Sequence, residues 1–364
     1  MPRLSMAESD SFFPAAGAFS APLSEKRALL LGELNHLTAL HAANCPGYRR
    51  ILAAADWSDA PAANLADVPF LPAQLFKRTR LASIPESAVL RTLRSSGTSG
   101  QAPSLIVLDR ATADLQARAL GHIMREFLGP HRLPMVIVDE PIRPGAGGFT
   151  ARTAGQLGFL PFGRDHFHLL SAEGAPDVAG LRLWLETHRD ERILFFGLTA
   201  PVWEHLLAGP VAAAGLRCAQ PALLVHGGGW KKLASRQITP AAFKQAARAL
   251  NIAETRDYYG MVEQTGSIHV EDDDGSLLTP LSGDVLVRDP RTLAPVPPGE
   301  TGLLHVFSAL PRSYPGHSIL TEDLGRIVGT DDRPGGRRGT RFVVLGRLAA
   351  SELRGCSDAT TPTP

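Results

Sequence analysis

The sequence predicts an α/β fold, and three observations carry that expectation. Apolar strand-like runs alternate with amphipathic helical segments through the middle of the chain, as in "PMVIVDE" (134–140), "ILFFGL" (193–198) and "ALLVHGGGW" (222–230). From about residue 283 the pattern changes to short strands separated by turns: "DVLVRD", "GLLHVFSA", "GRIVGT" and "RFVVLG". The 35 glycines and 29 prolines punctuate these runs and imply many loops.

The elements follow in chain order. Residues 1–23 read as a loose segment, and an α/β domain is expected over 24–345, its β-rich part starting near 283. A tail over 346–364 carries Cys356. Ser24–Ala43 has helical periodicity, with Ser24 as the cap and Leu30, Leu34, Leu37 and Leu40 along one side. Residues 44–90 are proline-broken. "AVLRTL" (88–93) and "SLIVLD" (104–109) read as strands on either side of "LRSSGTSGQAP" (93–103). A Ser/Gly/Thr run alone is most often a spacer. Between two strands it is better read as a structured hairpin tip, whose amides and hydroxyls can hold an anion. It is no Walker loop, because G-x-x-x-x-G-K-[ST] is absent. Asp109 is placed to cap a helix over 111–127, and Thr150 one that follows the glycine loop "PGAGGFTART", read as a plain turn. Thr199 reads as the cap of the helix after "ILFFGL". Thr239 caps a helix that has Pro240 at its first position.

Composition narrows the function. With 364 residues, 44% hydrophobic and 20% charged, the chain can bury the core of a soluble enzyme. A net charge of +1 gives no reason to expect nucleic acid or an acidic membrane as partner. No apolar run reaches the length of a membrane span. Cys45, Cys218 and Cys356 make neither a disulfide framework nor a C-x-x-C site, so a cytoplasmic location is expected, with Cys45 and Cys218 buried and inert. His166 and His168 lack a third metal ligand and read as structural. "EDDDG" (271–275) reads as a solvated hairpin tip.

Four further segments carry chemistry. In "HGGGWKK" (226–232) bare backbone can approach a flat ring, although a tight turn explains the glycines equally well; His226 either acts chemically or orients the loop. In "DYYGMVEQTGS" (257–267), read as a loop, Tyr259 can stack on a base and Glu263 can hold Mg²⁺ through oxygen; an ordinary surface loop is the alternative. "TEDLGRIVG" (321–329) places Asp323 on a turn before a strand. "LGRLAASELRG" (345–355) places Arg347 just after one.

Taken in order, "SSGTSGQAP", "YYGMVEQ", "TEDLG" and "GRLAASELRG" resemble the adenylate-forming superfamily. With "HGGGWKK", the chain is most similar to the bacterial acyl-protein synthetase (LuxE) family, over roughly residues 65–358. The resemblance implies the N-terminal domain of that superfamily: two helix-flanked β-sheet subdomains plus a small β-rich one. The mobile C-terminal domain with its catalytic lysine is not expected, since 18 residues follow Gly346. It implies ATP-dependent activation of a small carboxylic acid as an acyl-adenylate, then acyl transfer, with Mg²⁺ as cofactor. Ser95, Ser96, Gly97, Thr98, Ser99 and Gly100 would hold the phosphates, Thr98 also acting in catalysis. Gly227, Gly228, Gly229, Tyr259 and Gly260 would hold adenine, Asp323 the ribose with Arg347 beside it, and Glu263 the metal. Cys356 would accept the acyl group before a partner protein takes it. Departures are Ser104, where a lysine often follows the phosphate loop's proline, and Ala349 in place of the hinge acid; Lys231 or Lys232 would then supply charge, or else both are solvated. The alternatives are an acyl-CoA or amide ligase of a natural-product pathway, or a non-catalytic nucleotide- or acyl-adenylate-binding module. "FFGLTAPVW" (195–203) either lines an apolar acid pocket or packs in the core.

Overall fold

The computed structural model describes residues 10–57, 60–95, 103–142, 150–230, 238–333 and 336–348. It divides into two compact units: Met1–Ile123, Met261–Ser267 and Asp273–Pro364 in the first, Met124–Gly260 and Ile268–Asp272 in the second.

The first unit starts earlier than the sequence suggests. Residues 10–22, expected to be loose, are packed. Phe12, Ala18 and Phe19 are buried, and Phe12 shares a core with Leu30, Leu34, Leu65 and Phe307. Backbone bonds fix the segment: Leu281 N donates to Ala18 O at 2.8 Å and Arg338 N to Phe19 O at 2.7 Å. Within "FFPAAGAF" Phe12, Ala18 and Phe19 have a partner surface while Ala15 and Ala16 are exposed, a pattern that periodicity in a short window cannot reveal. The helix Leu23–Asn44 follows, with Leu30, Leu34 and Leu37 buried. Its cap position is Pro22, not Ser24, and no side chain caps it. Strand β1 (Leu71–Pro72) and the hairpin of β2 (Arg91–Arg94) and β3 (Leu105–Leu108) come next, the hairpin antiparallel with Arg94 opposite Leu105. Asp109 Oδ1 accepts from Thr112 N at 2.8 Å and starts the helix Arg110–Leu128, as expected.

The second unit is built on a largely parallel sheet. Its strands are β4 (Leu133–Ile137), β5 (Gly163–His168), β6 (Leu194–Leu198), β7 (Ala222–Gly227), β8 (Ile252–Tyr259) and β9 (His269–Glu271). Within this unit their order is β9-β8-β7-β6-β4-β5, with only β9 antiparallel to its neighbour. β6 and β7 are near-continuous apolar runs because they lie inside the sheet. Thr150, Asp177 and Thr239 cap the helices Ala151–Phe159, Val178–Thr187 and Pro240–Ala249. Thr199 does not cap. Leu198 holds that position, and the Thr199 hydroxyl instead donates to Gly227 O at 3.1 Å. Phe195 is part of the unit's core, with Trp203 packed against it, and Phe196 is also buried.

The chain then returns to the first unit with β10 (Leu277–Leu278), β11 (Gly283–Arg288), β12 (Gly302–Ser308), β13 (Ser318–Thr330) and β14 (Thr340–Arg347), ordered β11-β12-β13-β14-β10 and antiparallel. This β-rich part does not stand alone. β1 pairs in parallel with β13, and Arg27 Nε donates to the buried Asp284 of β11 at 2.8 Å. Three histidines are buried in this unit: His41, His305 and His317. His305 Nδ1 accepts from Arg288 Nε at 2.9 Å and its Nε2 meets Ser318 Oγ at 2.8 Å. His41 stacks on His317 with ring centroids 5.1 Å apart. Burial lowers all three, His41 to about 3 and the other two well below the ordinary imidazole value, so they are neutral in the fold.

Two further expectations are tested here. Cys45 and Cys218 are buried, and burial pushes the Cys218 thiol up to about 12, so it is inert. The "EDDDG" segment is a solvated tip only in its last three residues: Asp273, Asp274 and Gly275 are exposed at the turn, with Asp274 paired to Arg333 at 2.8 Å, whereas Glu271 and Asp272 are buried. Among the described residues no helix is long and apolar enough to cross a membrane.

Candidate active site

Glu263 is a buried acidic residue of the first unit. It sits on the 3₁₀ turn Val262–Gln264 and is only 7% exposed. Three bonds pin the turn and its flanks. Tyr314 Oη donates to Glu263 O at 2.9 Å, Gln264 Nε2 donates to Gly316 O at 2.9 Å, and Ser267 Oγ meets Ser308 Oγ at 2.5 Å. Gly316 is required here: a Cβ would lie 2.7 Å from Glu263 O and 2.3 Å from the Tyr314 ring. Gly266 is equally required, at φ +85° and with space for no Cβ, which would lie 2.7 Å from Gln116 O. The glycine and small residues of "GMVEQTGS" thus hold the carboxylate in one place.

Ser104, fully buried, donates its hydroxyl proton to Glu263 Oε1 at 2.5 Å. Burial pushes the Glu263 carboxyl above the ordinary carboxylate range; the Ser104 bond and the charges of Lys77 and Arg347 oppose that. Ser104 also closes the loop after β2. Its N–H donates to Ser95 Oγ at 2.8 Å, and its carbonyl accepts from Ser95 N at 3.2 Å. The hairpin expected around 93–103 is therefore present at its base. Ser95 is part of the closure, with its hydroxyl oxygen accepting a bond from within the loop. Ser96, Gly97, Thr98, Ser99 and Gly100 lie outside the described residues, as do Lys231, Lys232, Ala349 and Cys356.

Asp323 and Arg347 are cross-strand partners. They pair in register between β13 and β14, and Arg347 Nε donates to Asp323 Oδ1 at 3.1 Å. Neither sits where the sequence suggested. Asp323 lies inside β13, not on a turn before it, and Arg347 is the last residue of β14. The "EDLG" pattern read as a turn because its glycine marks a bulge: register slips between Leu324 and Gly325. Asp323 is 17% exposed and Arg347 60%.

The other expected residues belong to the second unit. Gly227 ends β7 opposite Tyr258, and a Cβ there would lie 2.7 Å from the Tyr258 ring. Gly228 and Gly229 have φ +83° and +58°, which turns the chain sharply off the strand. Tyr258 and Tyr259 are not in a loop but close β8, with Gly260 just beyond. The Tyr259 ring lies 6.2 Å from that of His269. His226 is linked to this turn through Thr199, whose hydroxyl also meets Gly227 O at 3.1 Å. It is buried, its Nδ1 lies 3.0 Å from Thr199 Oγ1, its ring packs on Phe243, and burial lowers it to about 3.

The first unit therefore brings Ser95, Glu263, Asp323 and Arg347 into the same unit. It adds Ser104, Tyr314 and Lys77, which were not expected as site residues. Ser104 carried a signal, as a departure from the lysine pattern, but its role as donor to a carboxylate 159 positions away in sequence had none. As for a divalent cation, no group of three His, Cys, Asp or Glu exists among the described residues. The Glu263 carboxylate suits Mg²⁺, which takes one or two protein carboxylates and completes its shell with water and substrate phosphate. With Ser104 on Oε1, the carboxylate retains lone pairs for such a ligand.

Comparison with known proteins places these observations. A family model described as acyl-protein synthetase, LuxE, matches residues 19–362. A long-chain-fatty-acid–luciferin-component ligase of Vibrio harveyi is 24% identical over 305 residues, which cover 81% of this chain and 77% of that protein. One of the same description from Aliivibrio fischeri is 30% identical over 138 residues, 37% of this chain and 36% of that one. Among solved structures, 2-hydroxyisobutyryl-CoA ligase in its postadenylation state with 2-HIB-AMP superposes with a TM-score of 0.72 at 21% identity, over 92% of this chain and 72% of that one. This likeness shows the mixed α/β fold of adenylate-forming enzymes.

Proposed function

The chain belongs to the acyl-protein synthetase (LuxE) family and is an ATP-dependent carboxylate-activating ligase; from that premise we propose which of its residues do the work and on what acid. The acid is a long-chain fatty acid, by analogy with the luciferin-component ligases it resembles. Its carboxylate oxygen attacks the α-phosphorus of ATP, the bond to the bridging oxygen breaks, and pyrophosphate leaves. Two anions meet in this step, so arranged positive charge and hydrogen-bond donors dominate the barrier. Mg²⁺, when bound, lowers the charge of the phosphates. Glu263 is its ligand, kept in orientation by Ser104 and by the Tyr314 bond to its carbonyl.

Asp323 accepts the ribose hydroxyls, with Arg347 fixing its carboxylate. In the second unit, the Gly227–Gly229 turn and Tyr259 offer bare backbone and a ring face to a flat base. Ser96, Thr98 and the amides of Gly97, Ser99 and Gly100 hold the phosphates, Thr98 following the transferred group. In the second half-reaction a Cys356 thiolate attacks the acyl carbon and AMP departs, leaving a thioester for an acceptor protein.

The observation that supports this assignment best is the buried Glu263 carboxylate, held by Ser104 Oγ at 2.5 Å. Pyrophosphate–ATP exchange, measured with saturated acids of increasing chain length, tests it. Exchange that depends on Mg²⁺ and rises with chain length supports the reading. Exchange without any added acid, or only with short acids, refutes the substrate class.

A further inference from the structure

Activation brings an anionic nucleophile to an anionic phosphate, and position 104 cannot supply the cation. It is a serine whose hydroxyl is committed to Glu263. The helical turn Leu75–Arg78 is tied to the neighbourhoods of both Asp323 and Glu263 by four contacts. Strand β1 pairs Leu71 with Ile319 and Pro72 with Leu320. Ala73 N then donates to Leu320 O at 2.9 Å, and Gln74 Nε2 donates to Glu322 Oε1, the residue before Asp323. On the other side, the buried Phe76 ring meets the Tyr314 ring edge-on at 6.2 Å, and Tyr314 is the residue that holds the Glu263 carbonyl. Lys77 follows Phe76. It is half-buried, and its ammonium acts on the Glu263 carboxylate together with Arg347.

We propose that Lys77 is the phosphate-binding cation of this enzyme, taking the α-phosphate of ATP and of the acyl-adenylate. The claim rests on the reading of Asp323 as the ribose residue and Glu263 as the metal ligand. The turn is tied to both of their neighbourhoods, and the phosphate nearest the ribose is the α-phosphate. A lysine ammonium suits this task as a compact point charge with three donors. Its charge also offsets the negative charge that builds on the bridging oxygen as the bond to the α-phosphorus breaks and that oxygen leaves with pyrophosphate.

Calorimetric titration with AMP, MgATP and adenosine tests this without turnover. A charge-assisted bond lost at a phosphate weakens binding by about tenfold or more. Lys77→Gln is expected to lose that factor for AMP and MgATP and to keep wild-type affinity for adenosine, which has no phosphate. Lys77→Arg keeps the charge and is expected to recover part of the AMP affinity, so a folding defect in the glutamine variant does not end the test. Asp323→Ala is expected to weaken all three ligands. Unchanged AMP affinity in Lys77→Gln, or an equal loss for adenosine, overturns the proposal. Failure of the wild-type protein to bind any of the three overturns the nucleotide site itself, and the role of Lys77 with it.

Discussion

Removing the Ser104 hydroxyl gives a quantitative test of how Glu263 is held. Ser104→Ala deletes one hydrogen bond and changes little else, because position 104 is fully buried and alanine fits there without strain. The lost bond is charge-assisted, 2.5 Å long and shielded from water, in the class that contributes about 1.5–3 kcal/mol. It stabilises the ionised carboxylate, so its loss raises the Glu263 pKa, on top of the rise that burial already causes. At about 1.4 kcal/mol per pH unit the expected rise is roughly one to two units. Only the ionised form can hold Mg²⁺, and below the new pKa activity falls about tenfold per unit. The assay is the pH profile of pyrophosphate–ATP exchange with an acid that the wild type turns over. The acid limb of the variant is expected to move to higher pH by that amount, while the plateau above it stays near wild type. A limb that does not move, in a protein of wild-type melting temperature, would refute the coupling. A loss equal at every pH would show that Ser104 acts through packing alone.

Glu263→Gln is expected to bind ATP without Mg²⁺ nearly as the wild type does, yet to lose about a hundredfold or more of its exchange activity; full exchange would remove Glu263 as the metal ligand. Asp323→Ala is expected to weaken ATP binding about tenfold or more, read by calorimetry, with unchanged affinity excluding Asp323 from the site. Cys356→Ser is expected to form the adenylate but to hold no hydroxylamine-sensitive acyl label, and a label that persists in this variant ends the thioester reading. Stability is expected to fall between pH 7 and pH 5. His41, His305 and His317 are neutral in the fold and take up protons near pH 6.5 once unfolded, so the unfolded chain binds more protons in this window and folding weakens as pH falls. Each contributes about 2 kcal/mol of loss across it, against a usual total of about 5–15 kcal/mol. His226 adds to this, and the raised carboxyls of Asp257, pushed up to about 7, and Glu263 work in the opposite sense and offset part of it. Urea unfolding at both pH values measures the difference, and equal midpoints would falsify the neutral-histidine assignment.

Local rules made much of this molecule readable. Periodicity located the helix Leu23–Asn44 and the strands β4, β6 and β7, because each buries a continuous apolar face that needs no distant information. The caps Asp109, Thr150 and Thr239 were legible for the same reason: donor and acceptor lie within a few residues. What failed was long-range. Thr199 looked like a cap because its competing partner, Gly227 O, is 28 residues away. Residues 10–22 looked loose because their partners include Leu281 and Phe307. At the candidate site, residue types and order pointed to Glu263 and Asp323. The donor on Glu263, the cross-strand arginine on Asp323 and the turn carrying Lys77 emerge only once β13 pairs with β1 and β14. A sequence pattern finds a carboxylate; the surroundings that set its proton affinity are assembled from distant segments.

The pairing of β1 with β13 also sets a timetable for the chain's birth. Leu71 meets Ile319, about 250 residues later. At roughly 5–20 residues per second, a ribosome needs on the order of 12–50 s to make that interval. The stretch Met124–Gly260, which supplies most of the second unit, is by contrast nearly uninterrupted and can condense as it emerges. The helix Leu23–Asn44 meanwhile waits with the core around Leu30 and Leu34 incomplete until Leu281 and Phe307 arrive. Slow translation or a scarcity of chaperones is therefore expected to damage the half that carries Glu263 and Asp323 first.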